Sequence, residues 1–128
     1  MIMLDVDNFK TINDTCGHET GDRVLVRLAR VLKKHFRSGD YICRIGGDEF
    51  VVFMVNTTKE QHDLVAAKIE EISRELFESK DGLPAVTISA GIVHGSECPD
   101  AAAWFEEADA AMYRAKQRGK QSSIFFST

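Results

Sequence analysis

The sequence of 128 residues predicts an α+β domain with a ferredoxin-like core, in which helices cover a mostly antiparallel central sheet. Short apolar runs of strand length alternate with longer segments whose apolar residues recur at helical spacing. Two extended runs are separated by only two glycines, which is typical of a hairpin because a tight turn needs positive φ at its centre. Taken in order, the segments predict β-α-α-β-β-α-β-α-β.

The first strand and the two helices after it follow from the apolar pattern. Residues 2–6 form an apolar run that ends in acid, which predicts a buried strand. A short helix is predicted over 8–15, closed by Gly17. A longer amphipathic helix is predicted over 22–36, and the Ser-Gly pair at 38–39 ends it.

The hairpin strands are predicted at 41–45 and 49–55, on either side of Gly46 and Gly47. The second of these strands is apolar on both faces, so we expect it inside the sheet with cover on both sides. The remaining predicted elements are a helix over 59–77, a turn over 81–84, a strand over 86–93, a helix that begins at 99–100 and stops at Gly119, and a strand over 123–126.

Composition and charge exclude several classes of protein. No apolar run approaches the roughly 18 residues that a membrane span needs, and the N-terminus does not have the pattern of a signal peptide. Acidic residues outnumber basic ones, 20 to 16, which disfavours a nucleic-acid polymer as partner. The widely spaced Cys16, Cys43 and Cys98 indicate reduced thiols and a cytoplasmic location.

Carboxylates stand at two predicted strand ends. Asp5 and Asp7 flank Val6, and Asp48 and Glu49 follow the glycine pair. If the first strand pairs beside the hairpin, three or four carboxylates converge at one edge, where hard oxygen ligands favour Mg²⁺. Glycines there would let a bulky nucleotide approach the backbone. The alternative is a solvated turn with ordinary surface acids.

The sequence resembles the GGDEF family of diguanylate cyclases over essentially all of its 128 residues. Residues 46–50 spell GGDEF, and residues 5–14 (DVDNFKTIND) are similar to the family's D-x-D-x-F-K-x-I-N-D block. Further blocks follow in the family's order at 17–18, 21–22, 86–91, 108–113, 115–116 and 119–120. The resemblance implies a nucleotidyl-cyclase-like core and an enzyme of bacterial signalling that condenses two GTP into cyclic di-GMP, releasing two pyrophosphates.

The resemblance also implies a metal site with up to two Mg²⁺ or Mn²⁺ ions. Asp5 and Asp48 match the side-chain ligands, and the backbone carbonyl of Val6 matches a third ligand. Glu49 matches the second acid of the motif, which either binds a second metal or accepts the proton of the attacking 3′-hydroxyl. Catalysis is expected from Asp5, Asp48 and Glu49 together.

Substrate-binding residues are implied along the whole chain. Asn13 and Asp22 match the pair that reads guanine, although Asp22 also suits a helix N-cap. His18 matches a residue near the nucleotide, and its alternative role is to stabilise the loop by hydrogen bonding. The residues expected near the phosphates are Asn8, Phe9 and Lys10 through backbone N–H groups, Gly46 and Gly47 in the turn, and the cations Lys10, Lys116 and Lys120. Lys116 and Lys120 alternatively complement a helix C-terminus.

A second site is implied by Arg37-Ser38-Gly39-Asp40, which is similar to the family's inhibitory R-x-x-D site for the product. Arginine can donate two bonds to guanine, and an aspartate can accept from its N1 edge. Lys68 is a further candidate cation there. The alternative is a helix C-terminal Arg followed by a turn Asp.

The resemblance implies GTP and cyclic di-GMP as ligands and a homodimer as the productive complex, since two antiparallel GTP molecules need two domains. In the family a helix and a D-x-L-T-like segment usually precede the first strand. We therefore expect residues 1–128 to be one N-terminally truncated domain of a longer protein with a sensory part, and to be poorly active alone. Two alternatives stay open: a module that binds GTP or cyclic di-GMP without turnover, and a structural dimerisation module.

Overall fold

A computed structural model describes residues 1–55, 57–78, 81–95 and 98–118, together with the backbone of 124–126. Its elements follow the predicted order. They are β1 (Ile2–Val6), α1 (Phe9–Cys16), α2 (His18–His35), β2 (Tyr41–Gly46), β3 (Glu49–Phe53), α3 (His62–Glu78, after a 3₁₀ turn at Lys59–Gln61), β4 (Ile88–Ile92), α4 (Ala101–Gln117) and β5 (Ile124–Phe126).

The five strands form one sheet in the order β2-β3-β1-β4-β5. All neighbouring pairs are antiparallel except β4 and β5, which are parallel. Asp5 at the end of β1 lies opposite Glu49 of β3 on one side and Ser89 of β4 on the other. The predicted pairing of the first strand with the hairpin is therefore confirmed, and it brings the two acidic strand ends together.

Helices cover both faces of the sheet, so the predicted α+β class is confirmed. The larger core joins one face to α2 and α3 and includes the fully buried Leu28, Leu32, Ile69 and Ile72. Phe50 belongs to this core. On the other face, α4 packs its alanines and Met112 against Met3 and Val51.

Trp104 of α4 packs against Phe53 of β3. Their ring centroids lie 5.6 Å apart with the rings inclined at 72°. The Trp104 indole nitrogen donates a hydrogen bond of 3.0 Å to the carbonyl of Val93. This side chain therefore fixes α4 against the end of β4.

Several element bounds differ from the prediction, each for a local reason. α2 begins at His18 rather than 22 because Gly17, at φ +92°, lets the chain turn directly from α1 into α2. β3 ends at Phe53 and β4 begins at Ile88 because the neighbouring strands end there. The predicted helix stop at Gly119 and strand start at Ser123 lie outside the described residues.

Arg27 fixes the loop that leads into β4. Its side chain is only 2% exposed, and its guanidinium donates to the Asp81 carboxylate at 3.0 Å and to the Pro84 carbonyl at 2.8 Å. A buried cation held in this way ties α2 to the segment before Thr87.

The described helices include none that is both long and apolar enough to cross a bilayer. The three cysteines form no disulfide with one another, in agreement with the sequence.

Candidate active site

Asp5 is the buried acid at the centre of the site. Its side chain is 3% exposed because β1 lies between β3 and β4 and under α4. Oδ2 contacts the ammonium of Lys116 on α4, whereas Oδ1 is buried and has no hydrogen-bond partner within the described part of the chain. An orphaned carboxylate oxygen is costly, and it is a ligand type that a divalent cation prefers.

The groups around Asp5 have opposing effects on its pKa. Burial raises the pKa of Asp5 to about 6, although the hydrogen bond and charge of Lys116 lower it, and the charges of Asp48 and Asp7 raise it further. Burial lowers the pKa of Lys116, but the hydrogen bond to Asp5 and the nearby carboxylates outweigh it, so the net shift is upward. At neutral pH the site therefore holds an ion pair within an excess of negative charge.

The glycine turn leaves open space beside these acids. Gly47 has φ +43°, as the predicted hairpin requires, but Gly46 pairs with Glu49 at the end of β2, so the turn is centred on Gly47 and Asp48 and not on the two glycines. A register shift lies between Arg44 and Gly46. A side chain at Gly46 or Gly47 would meet no described atom within 4 Å. Arg44 donates from Nε to the Gly47 carbonyl at 2.9 Å. The turn is thus held from β2 while its outer face stays accessible.

Asp5 and Glu49 lie opposite each other at one edge, and Asp48 and Asp7 lie near enough for their charges to raise the pKa of Asp5. Asp7 also accepts hydrogen bonds from the hydroxyls of Thr87 at 2.7 Å and Ser89 at 2.6 Å. Three or four carboxylates were expected to converge here, and Asp7 differs from the others because hydroxyls on and beside β4 hold its carboxylate. No group of three His, Cys, Asp or Glu side chains among the described residues stands in a metal-binding arrangement.

The start of α1 is open towards solvent. Asn8 is its N-cap at φ +57°, and within the described residues its side chain makes no capping hydrogen bond. Lys10 and His18 are exposed, and the Phe9 ring packs against the larger core. The first-turn N–H groups of this helix are consequently available to an anion.

Asn13 lies against Gly21 of α2. A Cβ at position 21 would collide with the Asn13 Oδ1 atom and come within 3.2 Å of the Phe9 ring. Asp22, next along, is exposed within α2 and not at its N-cap, so the N-cap alternative is wrong because the helix starts four residues earlier. Asn13 and Asp22 thus border the junction of α1 and α2. Lys120 lies outside the described residues.

The predicted inhibitory site is only partly open. The Asp40 side chain is fully buried, and its carboxylate accepts from the backbone N–H groups of Arg37 and Val55, each at 3.1 Å. The Arg37 side chain is 64% exposed and lines a groove with Lys68 of α3. Arg37 and Lys68 are therefore accessible to a ligand, whereas the Asp40 carboxylate stabilises the loop through backbone hydrogen bonds.

Three polar contacts at the site were not predicted from sequence: those of Arg44, Thr87 and Ser89. Thr87 and Ser89 lie two residues apart among apolar neighbours, and this spacing marks one face of a strand. That pattern could have indicated a buried polar partner. Arg44, an exposed residue of β2, carries no comparable signal.

Comparisons with known proteins agree with this geometry. The family model described as "Diguanylate cyclase, GGDEF domain" matches residues 1–122. Diguanylate cyclase DgcP of Pseudomonas aeruginosa is 41% identical over 123 residues, which are 94% of this chain and 18% of that protein. Diguanylate cyclase DosC of Escherichia coli is 34% identical over 124 residues, 94% of this chain and 26% of that protein. The chain thus spans about a quarter or less of the length of these relatives.

Solved structures show the same fold. An EAL/GGDEF domain protein from M. capsulatus has a TM-score of 0.85 and 37% identity, covering 99% of this chain and 83% of that one. The GGDEF domain of DgcB from Caulobacter crescentus, solved in complex with c-di-GMP, has a TM-score of 0.82 and 31% identity, covering 98% and 75%. The family match, the relatives and these structures agree, and the chain belongs to the GGDEF domain family of diguanylate cyclases.

Proposed function

We propose that this chain is a diguanylate cyclase domain that condenses two GTP molecules into cyclic di-GMP and releases two pyrophosphates. The observation that carries the proposal is the buried Asp5 carboxylate oxygen that has no hydrogen-bond partner among the described residues, beside an intact GGDEF turn. Relatives named diguanylate cyclases support it.

The donor set fits one or two hard divalent cations. Asp5, Asp48 and the Val6 carbonyl would hold Mg²⁺ or Mn²⁺, and Glu49 would bind a second ion or take the 3′-hydroxyl proton. Such a cation supplies charge neutralisation of the triphosphate and polarises the α-phosphorus. Lys116 already contacts Asp5, so it is placed to pair with phosphate oxygens when a metal engages that carboxylate.

The nucleotide would lie across the start of α1. First-turn N–H groups at Asn8, Phe9 and Lys10 face the phosphates, where the helix dipole favours an anion. Asn13 and Asp22 read the guanine edge, because a carboxylate accepts from its N1–H and 2-amino groups, which adenine lacks at those positions. Candidates for supporting contacts are His18, the side chain of Lys10, and Lys120.

Two domains would complete the reaction. Each binds one GTP, and a two-fold arrangement presents each 3′-oxygen to the other α-phosphate through self-complementary contact. Catalysis then comes mainly from positioning and electrostatics, which hold the reacting atoms in line. The productive complex is therefore a homodimer, and its formation depends on protein concentration.

The test is to incubate the purified chain with GTP and Mg²⁺ and to measure pyrophosphate and cyclic di-GMP. We expect both products from GTP, none from ATP, a specific rate that rises with protein concentration, and none from Asp48→Asn. GTP binding without product would instead indicate a binding module. Absence of both binding and product would contradict the proposal.

Gly21→Ala should weaken GTP binding while preserving the fold. The new methyl group displaces the flexible end of Asn13, and alanine is the better helix former by about 1 kcal/mol. We expect GTP affinity to fall about tenfold, the loss of one good hydrogen bond, with no loss in the free energy of unfolding. Calorimetric titration with GTP and urea unfolding measure the two effects, and Gly39→Ala is the matched control. Unchanged affinity would mean that Asn13 does not read the nucleotide.

Product inhibition is proposed at the groove of Arg37 and Lys68. Arg37→Met should lower cyclic di-GMP affinity by about ten- to a hundredfold, because a bidentate arginine–guanine contact contributes roughly 1–3 kcal/mol. Titration with cyclic di-GMP measures this, and Arg30→Met, an exposed arginine of α2, is the control. Equal affinity in both variants would contradict the site.

A further inference from the structure

Asp7 is held by a group of three residues that we call the Asp7 clasp: Asp7, Thr87 and Ser89. The Thr87 hydroxyl donates to Oδ2 at 2.7 Å, and the Ser89 hydroxyl donates to Oδ1 at 2.6 Å. The backbone N–H of Asp7 also donates to the Thr87 carbonyl at 2.9 Å. Asp7 is 5% exposed and Ser89 is fully buried, so the bond between them is shielded from water, whereas that of Thr87 is partly buried.

The clasp stands immediately before a strained turn. Asn8 has φ +57° and ψ 32°, and it is the one non-glycine residue with positive φ among the described residues. A left-handed conformation costs roughly 1–2 kcal/mol, so neighbouring contacts must hold it. α1 begins at the next residue, which means that the clasp sets how its first turn leaves the sheet.

Asp7 and Asp5 differ in what their oxygens can still bind. Both oxygens of Asp7 already accept short hydrogen bonds, whereas Oδ1 of Asp5 has no partner among the described residues. A cation at Asp7 would have to compete with both hydroxyls, of which that of Ser89 is buried.

We propose that Asp7 is a positioning residue and not a metal ligand: the clasp fixes the start of α1 so that its first-turn N–H groups face the triphosphate of GTP. This inference rests on the proposed function. It assigns to Thr87 and Ser89 a role in substrate affinity, although neither side chain touches the substrate.

The test compares variants that break the clasp with one that keeps it. The double variant, Thr87→Val combined with Ser89→Ala, removes both donors at nearly constant volume, whereas Thr87→Ser combined with Ser89→Ala keeps one of them. We expect the double variant to raise KM for GTP about tenfold with kcat within threefold, and the serine to recover most of it. Inhibition by GMP, which lacks the β- and γ-phosphates, should change by less than twofold.

Asp7→Asn separates positioning from metal binding. The amide keeps one oxygen to accept and gains a donor that either hydroxyl can accept, so the clasp persists without charge. We expect KM and kcat within about threefold of wild type, unlike Asp48→Asn. Loss of turnover in Asp7→Asn together with wild-type KM in the double variant overturns the proposal.

Amide hydrogen exchange at Ile12, whose backbone N–H donates to the Asn8 carbonyl at 3.2 Å, keeps the two proposals separable. Breaking the clasp should speed exchange at this amide at least tenfold while the α3 amides keep their rates. If wild type neither binds nor converts GTP, the proposed function fails on its own. In that case, an unchanged exchange rate in the double variant would also contradict the positioning role of the clasp. If the double variant does not fold, Ser89→Ala alone is tested in the same way, by its KM for GTP and by its amide exchange rates.

Discussion

Asp5→Asn should make the metal-free domain more stable at pH 8 while it ends turnover. The carboxylate is 3% exposed, one of its oxygens has no hydrogen-bond partner in the described part of the chain, and burial raises its pKa to about 6 from a usual value of 3.8. A shift of that size corresponds to at most about 3 kcal/mol of destabilisation by the charged form. We expect a gain of about 2–3 kcal/mol, because the raised pKa already includes the attraction of Lys116.

The sign of the pH dependence follows from the raised pKa. Between about pH 4 and pH 6 the folded state binds more protons at Asp5 than the unfolded state does. The stability contributed by the protonated form is therefore complete below pH 4 and is lost as the pH rises through 6. Wild type should lose stability over this window relative to Asp5→Asn, and the difference should vanish at pH 4.

Urea unfolding in EDTA from pH 4 to pH 8 measures this difference. Asp14→Asn, an exposed acid on α1, controls for the loss of one negative charge. Addition of Mg²⁺ with GTP should stabilise wild type and leave Asp5→Asn unchanged, since only wild type offers the carboxylate. A variant that is less stable than wild type at pH 8 would show that the ion pair with Lys116 outweighs the burial of charge.

The course of the chain through the fold was largely predictable from the sequence. The glycine pair between two apolar runs predicts the hairpin, and the acid at the end of the first strand predicts the edge where it pairs. The start of α2 was not predictable, because it depends on the backbone conformation of Gly17 and not on any apolar period. The end of a strand also depends on where its partner strand ends, and the sequence of one strand alone does not reveal this.

The roles of Asp5 in β1 and of Asp7 just after it show where sequence reasoning ends. Asp5 and Asp7 look equivalent in an alternating pattern, yet the partners of Asp7 lie 80 and 82 residues away along the chain. Which oxygen stays unpartnered is decided by long-range packing. Asp40 is a similar case, since its carboxylate bonds the N–H of Val55, 15 residues away, and this buries the group expected to face a ligand.

Gly91→Ala adds only a methyl group, yet we expect it to destabilise the domain more than any other change of that size. At Gly91 the backbone of β4 lies directly against that of α4, and a Cβ would collide with the Met112 nitrogen and come within 2.7 Å of the Ala108 carbonyl oxygen. Unlike the contact at Gly21, these atoms belong to a helix backbone that cannot turn aside. Overpacking of this kind costs typically 1–3 kcal/mol, and a backbone collision places the expected loss near 3 kcal/mol.

The alanines of α4 explain why this position tolerates no side chain. Ala108, Ala111 and Ala115 are buried against the sheet, so the helix has no long side chain there that could shift to make room. α4 must move as a body, and it carries Lys116 away from Asp5. Urea unfolding measures the loss, and Gly39→Ala, where the nearest atom lies at 3.8 Å, should stay within about 0.5 kcal/mol of wild type. A Gly91→Ala variant as stable as Gly39→Ala would mean that β4 and α4 do not approach this closely, and with that the placement of Lys116 beside Asp5 would lose its structural support.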